Sequence, residues 1–554
     1  MKNSEGIIII ESNLYPLKQN YRMRGMGLLK NLFKYVVVFT IVLALFVQGT
    51  AQNKASADMV AEPTIRIGVV PGVESLTIGA EGAFDVLDKA TGVVLFSGLD
   101  EEVFVELGST STVQTNYRLQ VSYTTSEAYV TDWVTRAEAE GYPTYVEDYN
   151  NGYRLYIGEF AADASFTVRT AFKNEVVSKG LAANDSFWKI ITIAEGENEL
   201  KVIHNGEEKV TTNAVQIIAP SKKVSINGTT YRGLAEVGFN SSGTLAGINE
   251  LLTEEYLYGV VPRELPPVPY GELEAQKAQA IAARTYALSN LGKRSADGYD
   301  LLPTTSDQVY GGFEAEHQVS NDAVDETRGI VATYEGKLIT AVFHSTSGGF
   351  TANNEDVWTS EATPYLRATH VAQKGNSLKY VPALDVYKLE EDGSESLRKV
   401  KKGDFEADWS RYYRWNFEWT SEEISQVLST YYNTEVGKVL EINVTERSSS
   451  GRAAKIEFVT ENGTFYEYKD RIRWALQYIN ASGNPAVLLS TLFIIEPVKD
   501  DVTGEVTGFK TNGGGWGHGV GMSQVGAVGM AEAGYTYDVI LKHFYKGIDL
   551  ETKY

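Results

Sequence analysis

Glu264 stands in the run Val260-Val261-Pro262-Arg263-Glu264-Leu265-Pro266-Pro267, a single carboxylate between two apolar segments. Pro262, Pro266, Pro267 and Pro269 fix φ, delete backbone donors and push each preceding residue toward extended geometry. The stretch therefore reads as a stiff loop rather than regular structure. A carboxyl held there is open to desolvation, which raises its pKa and suits it to general acid work. The plainer alternative is that Glu264 pairs with Arg263 or caps the next helix.

Two glycine-rich turns hold the other reactive groups. Thr340 to Thr351 contains His344, Ser345 and Gly348-Gly349, with Asn354, Glu355 and Trp358 just beyond. Gly513 to Ala527 has seven glycines in fifteen residues and frames Trp516, His518, Ser523 and Gln524. Glycine permits positive φ and close backbone approach, and polar groups in such turns are where sites usually sit. Three chemistries compete. Ser345 or Ser523 with His344 or His518 could form a nucleophilic triad, although neither serine lies in a Gly-x-Ser-x-Gly elbow. Both histidines with Glu264 could hold a metal, although no HExxH or comparable spacing supports it. The third is a single carboxyl acid/base with polar residues that position a sugar. For each histidine the alternative is a hydrogen-bonded structural role.

The elements that must position these groups are partly legible. Glu272 to Leu291 is rich in strong helix formers. Leu273, Ile281 and Leu288 recur at helical spacing, and Ala278, Ala282 and Thr285 fill the same side. The expectation is a core helix, N-capped by Gly271, whose small-residue face lets another backbone come close. A second helix is expected from Ser523 to Ala533. The run from about 371 to 408 is charged, poor in large apolar residues, and reads as a surface excursion.

At 554 residues the chain implies two to four domains. It contains no Cys, which excludes disulfides, thiolate zinc sites and thiol nucleophiles. A net charge of −22 argues against nucleic acid and anionic lipid as partners. Basic residues up to Lys34 precede an apolar run from Tyr35 to Val47, and Gly49-Thr50-Ala51 supplies small residues for cleavage. Residues 1–51 thus read as a signal peptide cut near Ala51, or as an N-terminal anchor, the only membrane contact expected. The rest would work outside the cytoplasm, secreted to the cell wall or anchored facing it.

Short strands with Gly, Asp and Ser punctuation fill 62–112 and resume after about Asn174, with hairpin signals at Asn205-Gly206 and Asn227-Gly228. Between them, 113–180 reads as a compact βαββα unit: strand Tyr117–Tyr123, helix Glu127–Gly141, strands Thr144–Glu147 and Gly152–Gly158, and a helix from Asp163 to Phe172. On Tyr117, Gln120, Gly141, Tyr153, Arg154 and the Ile157-Gly158-Glu159-Phe160 end, this unit resembles the SPOR domain, a ferredoxin-like module. That resemblance implies binding of peptidoglycan strands stripped of stem peptides, through Gln120, Tyr153 and Arg154. Tyrosine on a small sheet also suits stacking on sugar faces.

The segments Glu255–Pro266, Leu273–Tyr286, His344–Gly349 and Gly515–Gln524 together resemble the stage II sporulation protein D (SpoIID/LytB-like) family. Arg447-Ser448 with Gly451-Arg452, Ser490–Phe493 and Phe544–Gly547 agree, in order, over most of 230–550. The resemblance implies an α+β, multi-domain chain: a β-rich catalytic region over 181–554, joined by 62–112, with the SPOR-like unit inserted. It also implies a lytic transglycosylase that cuts the MurNAc–GlcNAc β-1,4 bond and leaves 1,6-anhydroMurNAc ends. Glu264 would be the catalytic acid/base. Arg284, Tyr286, His344, Ser345, His518, Ser523 and Gln524 would hold sugars and stabilise charge. Some sporulation relatives bind zinc through Cys, which this chain lacks, so no metal or other cofactor is expected. LytB-type relatives modify a cell-wall amidase, so a non-catalytic glycan-binding protein with an amidase partner is the alternative.

Overall fold

The computed structural model describes residues 61–108, 112–149, 152–195, 198–372, 405–406, 410–480 and 482–554. The segment 1–51 read as a signal or anchor and most of the 371–408 excursion lie outside the described residues. The chain is α+β, multi-domain and β-rich.

Two six-stranded sheets form the N-terminal body. The first orders Thr64–Val73, Leu245–Leu252, Leu234–Phe239, Val215–Ile218, Ala83–Asp88 and Val94–Leu99. The second orders Glu207–Thr211, Leu200–His204, Glu102–Leu107, Ser75–Ala80, Lys223–Ile226 and Thr229–Arg232. Side chains alternate across a strand with period two. Ile65 and Ile67, Leu76 and Ile78, Val103 and Val105, and Val215 and Ile217 accordingly share one buried core. Strands from before and after the middle unit interleave in both sheets, so that unit is an insertion.

The inserted unit is a four-stranded antiparallel sheet in the order Thr144–Tyr149, Gly152–Ala161, Thr112–Thr124, Phe187–Glu195. Helices Glu127–Ala139 and Phe166–Ser178 pack on one face around Trp133, Leu119, Leu155 and Ile157. The expected βαββα pattern is present, but the second helix starts at Phe166 and a fourth strand comes after it. Phe187–Glu195 pairs with the first strand over nine registers, from Thr112↔Glu195 to Gln120↔Phe187. The unit therefore extends past residue 180. Its last strand mixes Phe, Trp, Lys and Ile without clean alternation, which hides it in the sequence.

The C-terminal body packs helix Ser421–Tyr432 against two three-stranded sheets. Trp419, Ile424, Leu428, Phe458 and Phe509 are buried between them. A separate core joins helices Leu273–Ser289, Gln524–Glu532 and Tyr537–Phe544.

Three local expectations are corrected. Glu264 is not on an irregular loop: helix Thr253–Glu264 runs through Pro262 and ends at the glutamate. Pro262 lies in the last turn, so the missing donor and ring clash disturb a helix that stops two residues later. The next helix is Leu273–Ser289, with Glu272 rather than Gly271 at the N-cap. Both described ends of the supposed surface excursion are core, since Val371, Phe405 and Glu406 are buried.

Candidate active site

Helix packing places Glu264. The helix that ends on it and helix Leu273–Ser289 bury Leu257, Val260, Val261, Ala280 and Ala283 together. Buried Gln276 then anchors the chain beyond Glu264, donating to the carbonyls of Leu265 (2.8 Å) and Tyr270 (2.9 Å). Its own oxygen accepts from Ser320 Oγ at 2.9 Å. The carboxyl of Glu264 accepts a hydrogen bond from the Val309 amide at 2.6 Å. Although the residue keeps an opening to solvent, burial of its carboxyl pushes the pKa up to about 7, against the opposing pull of Val309 N–H and the Gln524 amide. No second carboxyl is among the groups that tune it. Asp307, two residues up the same loop, is tied to Lys293 (2.5 Å), Arg294 (3.3 Å) and the Leu302 amide (2.9 Å).

The glycine-rich turns meet beside it. Phe343–His344 pairs in parallel with Met522–Ser523, so His344 lies opposite Ser523. Thr346 and Trp516 form an antiparallel bridge. Gly517 has φ +107, and a Cβ there would come within 2.9 Å of His344 Cβ. Gly519, at φ +83, lies so close to the Arg452 guanidinium that a Cβ would approach it to 2.5 Å. Arg452 in turn donates to the Ser347 and Phe350 carbonyls, both at 2.9 Å.

Gln524 begins helix Gln524–Glu532 and connects this assembly to the acid. Its amide contacts Gln279 Oε1 at 3.4 Å and lies near enough to the Glu264 carboxyl to pull that pKa down. Ser523 is the N-cap, accepting from the Gly526 amide (3.1 Å) and donating to Glu406 (2.5 Å). Glu406 also accepts from the Ser347 and Gly349 amides. Neither Gln279 nor Glu406 was picked out from sequence. Gln279 had a faint signal, a polar residue among alanines on a core helix; Glu406 had none, as one acid in a charged run.

Both histidines are neutral. His344 is held well below its ordinary pKa by burial, by His518 and by Arg452. Burial and nearby Arg473 push His518 down to about 3. A carbonyl only accepts, so His344 Nδ1 donates to Val520 O (3.0 Å), leaving Nε2 as a buried acceptor without a hydrogen-bond partner among the described residues. His518 Nδ1 accepts from the Val520 amide at 3.0 Å, and its ring lies 5.6 Å from His344 and 5.0 Å from Trp358. No cluster suited to a metal ion occurs among the described residues. Ser345 is half-buried, with its hydroxyl 3.3 Å from Thr346 Oγ1 and its carbonyl taking the Val525 amide at 3.0 Å.

Two of the expected sugar-holding residues are committed elsewhere. Arg284 is fully buried and pairs with both oxygens of Glu254, at 2.7 and 2.6 Å. It also donates to the Ile330 carbonyl at 3.0 Å. Tyr286 packs on the N-terminal core, and its hydroxyl lies 3.2 Å from Asp307. In the insert, Gln120 and Arg154 share one sheet face with Tyr156, whereas neighbouring Tyr153 points to the helix side. Tyr153 donates to Glu127 at 3.1 Å, and Arg154 covers the Tyr149 ring 3.1 Å from its centroid.

A desolvated lone carboxyl, polar amides around it and two neutral histidines define a single-acid site built where several elements converge. The chain belongs to the stage II sporulation protein D family. The family model described as "Stage II sporulation protein" matches residues 241–334, and a domain of unknown function matches 352–521. An uncharacterized protein of Brachyspira hyodysenteriae is 30% identical over 59% of this chain and 73% of its own length. Stage II sporulation protein D of Bacillus subtilis is 29% identical over 55% of this chain and 75% of its own. The amidase enhancer of the same organism is 31% identical, but only 40% of its length is covered, against 53% of this chain.

Proposed function

We propose that the protein is a lytic transglycosylase of the cell wall, acting outside the cytoplasm on peptidoglycan strands stripped of stem peptides. The observation that carries this is Glu264, a lone carboxyl whose burial raises its pKa to about 7, so that it is available protonated near neutral pH. Glu264 protonates O4 of the leaving GlcNAc as the C1–O4 bond breaks. The resulting carboxylate faces the oxocarbenium-like centre and takes the proton of the muramyl 6-hydroxyl as O6 bonds to C1. One glycosidic bond is exchanged for the 1,6-anhydro bond, the proton passes from O6 to O4, and no water is consumed. Most hydrolytic glycosidases need a second carboxylate to activate water or act as nucleophile. Here one carboxyl suffices. Gln524 and the Val309 amide orient it, and half-buried Ser345 offers a hydroxyl to the sugar. The inserted sheet, through the face bearing Gln120 and Arg154, would hold the same strand as a SPOR-like module.

Similarity to an amidase enhancer favours a second reading, a non-catalytic protein that binds glycan beside a cell-wall amidase. Mass spectrometry of amidase-stripped strands after incubation separates the two. Anhydromuramyl ends with the wild type, absent with a folded Glu264→Gln variant, support the transglycosylase. Reducing ends mean a hydrolase, and binding without cleavage leaves the enhancer reading.

A further inference from the structure

A cleft of about 550 Å³ lies beside Trp358, and all of its lining falls in the matched domain of unknown function. One wall is Trp358, whose ring contacts His518 at 5.0 Å and so joins the cleft to the glycine-rich turns. The other wall is the turn Lys469–Arg471 with Tyr468 and Trp474. These two aromatics are 52% and 40% exposed, which leaves ring surface available to a ligand in the cleft. Arg473 lies over the Trp474 ring, 5.4 Å from its centroid.

The polar groups give the cleft a sign. Glu467 and Asp470 are both taken up internally, by Arg471 at 3.3 Å and Arg473 at 3.3 Å. Among carboxylates, Lys469 acts only at longer range, on Glu355, which is already bound by Arg367. Its ammonium donates to the Trp358 carbonyl at 3.0 Å and makes no ion pair among the described residues. Its backbone has φ +52, a left-handed conformation that non-glycine residues adopt at a cost. Arg471 lines the cleft with its side chain 75% exposed, while its guanidinium pairs with Glu467 and donates to the Tyr431 hydroxyl at 3.2 Å. Cationic groups beside part-exposed aromatic rings, with Lys455 also 5.7 Å from the Tyr468 centroid, are a local exception on a chain of net charge −22.

We propose that this cleft is a binding subsite for a carbohydrate that carries a carboxylate. On a cell-wall strand that group is the free lactyl carboxylate of a muramic residue whose stem peptide has been removed. The sugar stacks on Trp474 and Tyr468, while Lys469 and Arg471 take the carboxylate. A stem peptide would turn that carboxylate into a neutral amide, so the cleft distinguishes stripped from unstripped strands by charge. The inference rests on the glycan reading of the protein but not on catalysis.

The test uses the full chain bearing Glu264→Gln, so that strands stay whole, and reads affinity by calorimetry. The probes are amidase-stripped strands and the same strands with their carboxylates capped as amides by carbodiimide coupling. The parent should bind stripped strands about fivefold or more tightly than capped ones. Arg471→Gln, which can still donate to Glu467, and Lys469→Asn, tolerant of left-handed backbone, should erase that preference with the melting temperature intact. Residual affinity equal for both probes is then the contribution of the insert and of the Glu264 site. Equal binding of both probes by the parent, or a preference untouched by either variant, overturns the proposal. Carboxylate-dependent binding with no anhydromuramyl product from the Glu264 chain would keep the cleft and remove the transglycosylase; product without that dependence would do the reverse.

Discussion

A carboxyl with a pKa of about 7 has consequences for rate and for stability that share a cause and can be measured separately. As a general acid, Glu264 must start protonated. Cleavage should therefore fall as pH rises through about 7, by roughly tenfold between pH 6 and pH 8 in kcat/KM. Neither His344 nor His518 titrates in that window, because burial keeps both neutral, so the limb belongs to Glu264. For stability the sign is the reverse of the usual acid's. The unfolded carboxyl ionises near 4.5 and the folded one only near 7, so the unfolded state binds fewer protons between those values. Stability contributed by this group is present below 4.5 and lost as pH rises toward 7. Glu264→Gln keeps an oxygen for the Val309 amide but has no charge to bury. We expect thermal melts to show it more stable than wild type at pH 8, by on the order of 1–3 kcal/mol, with the gap closing at pH 4.5. A gap independent of pH would mean that the wild-type carboxyl is solvated.

Between elements, the energetics turn on one buried ion pair. Arg284 on helix Leu273–Ser289 and Glu254 at the start of helix Thr253–Glu264 hold the two helices in register through two short bonds. Burial alone would raise the Glu254 pKa, but Arg284, Tyr554 and the Gly329 amide together hold it below the ordinary carboxylate value. Arg284→Ala leaves that carboxylate buried and uncompensated, which typically costs about 3–5 kcal/mol. The expected outcome is a large drop in melting temperature at pH 7. A sugar-holding arginine would instead weaken KM and leave the melt unchanged. The helix itself was legible, because Ala, Gln, Leu and Lys state it locally. Its partner was not, since Glu254 lies thirty positions upstream and no periodicity links the two. The same limit explains Glu264: prolines announce a stiff segment, yet whether a helix can absorb Pro262 depends on how soon after it the helix stops. The histidines and Ser523 were visible because glycines mark turns, whereas Glu406 reaches the turn from a charged run whose composition points to the surface.

At the scale of the molecule, the question is whether the insert is a passenger on the two-sheet body or part of its stability. The strands on either side of it, Glu102–Leu107 and Leu200–His204, are antiparallel neighbours with Leu107 opposite Leu200. Gly108 N–H already donates to the Glu199 carbonyl at 2.7 Å, so the chain leaves and returns at the closed end of a ladder. Such an end needs only a two-residue turn, and Asn-Gly supplies the left-handed φ values that a tight hairpin demands. The insert also has its own core, around Trp133, Leu119, Leu155 and Ile157, and does not draw on that of the two sheets. Replacing residues 109–198 by Asn-Gly should therefore leave a folded chain with a cooperative melt. It should still cut short stripped glycan fragments, because Glu264, Gln524 and the glycine-rich turns are untouched. What should fall is retention on long strands, measured by co-sedimentation with amidase-treated sacculi. Loss of the fold in this deletion would show that the sheets depend on the insert. Unchanged retention would show that its Gln120 and Arg154 face binds something other than glycan.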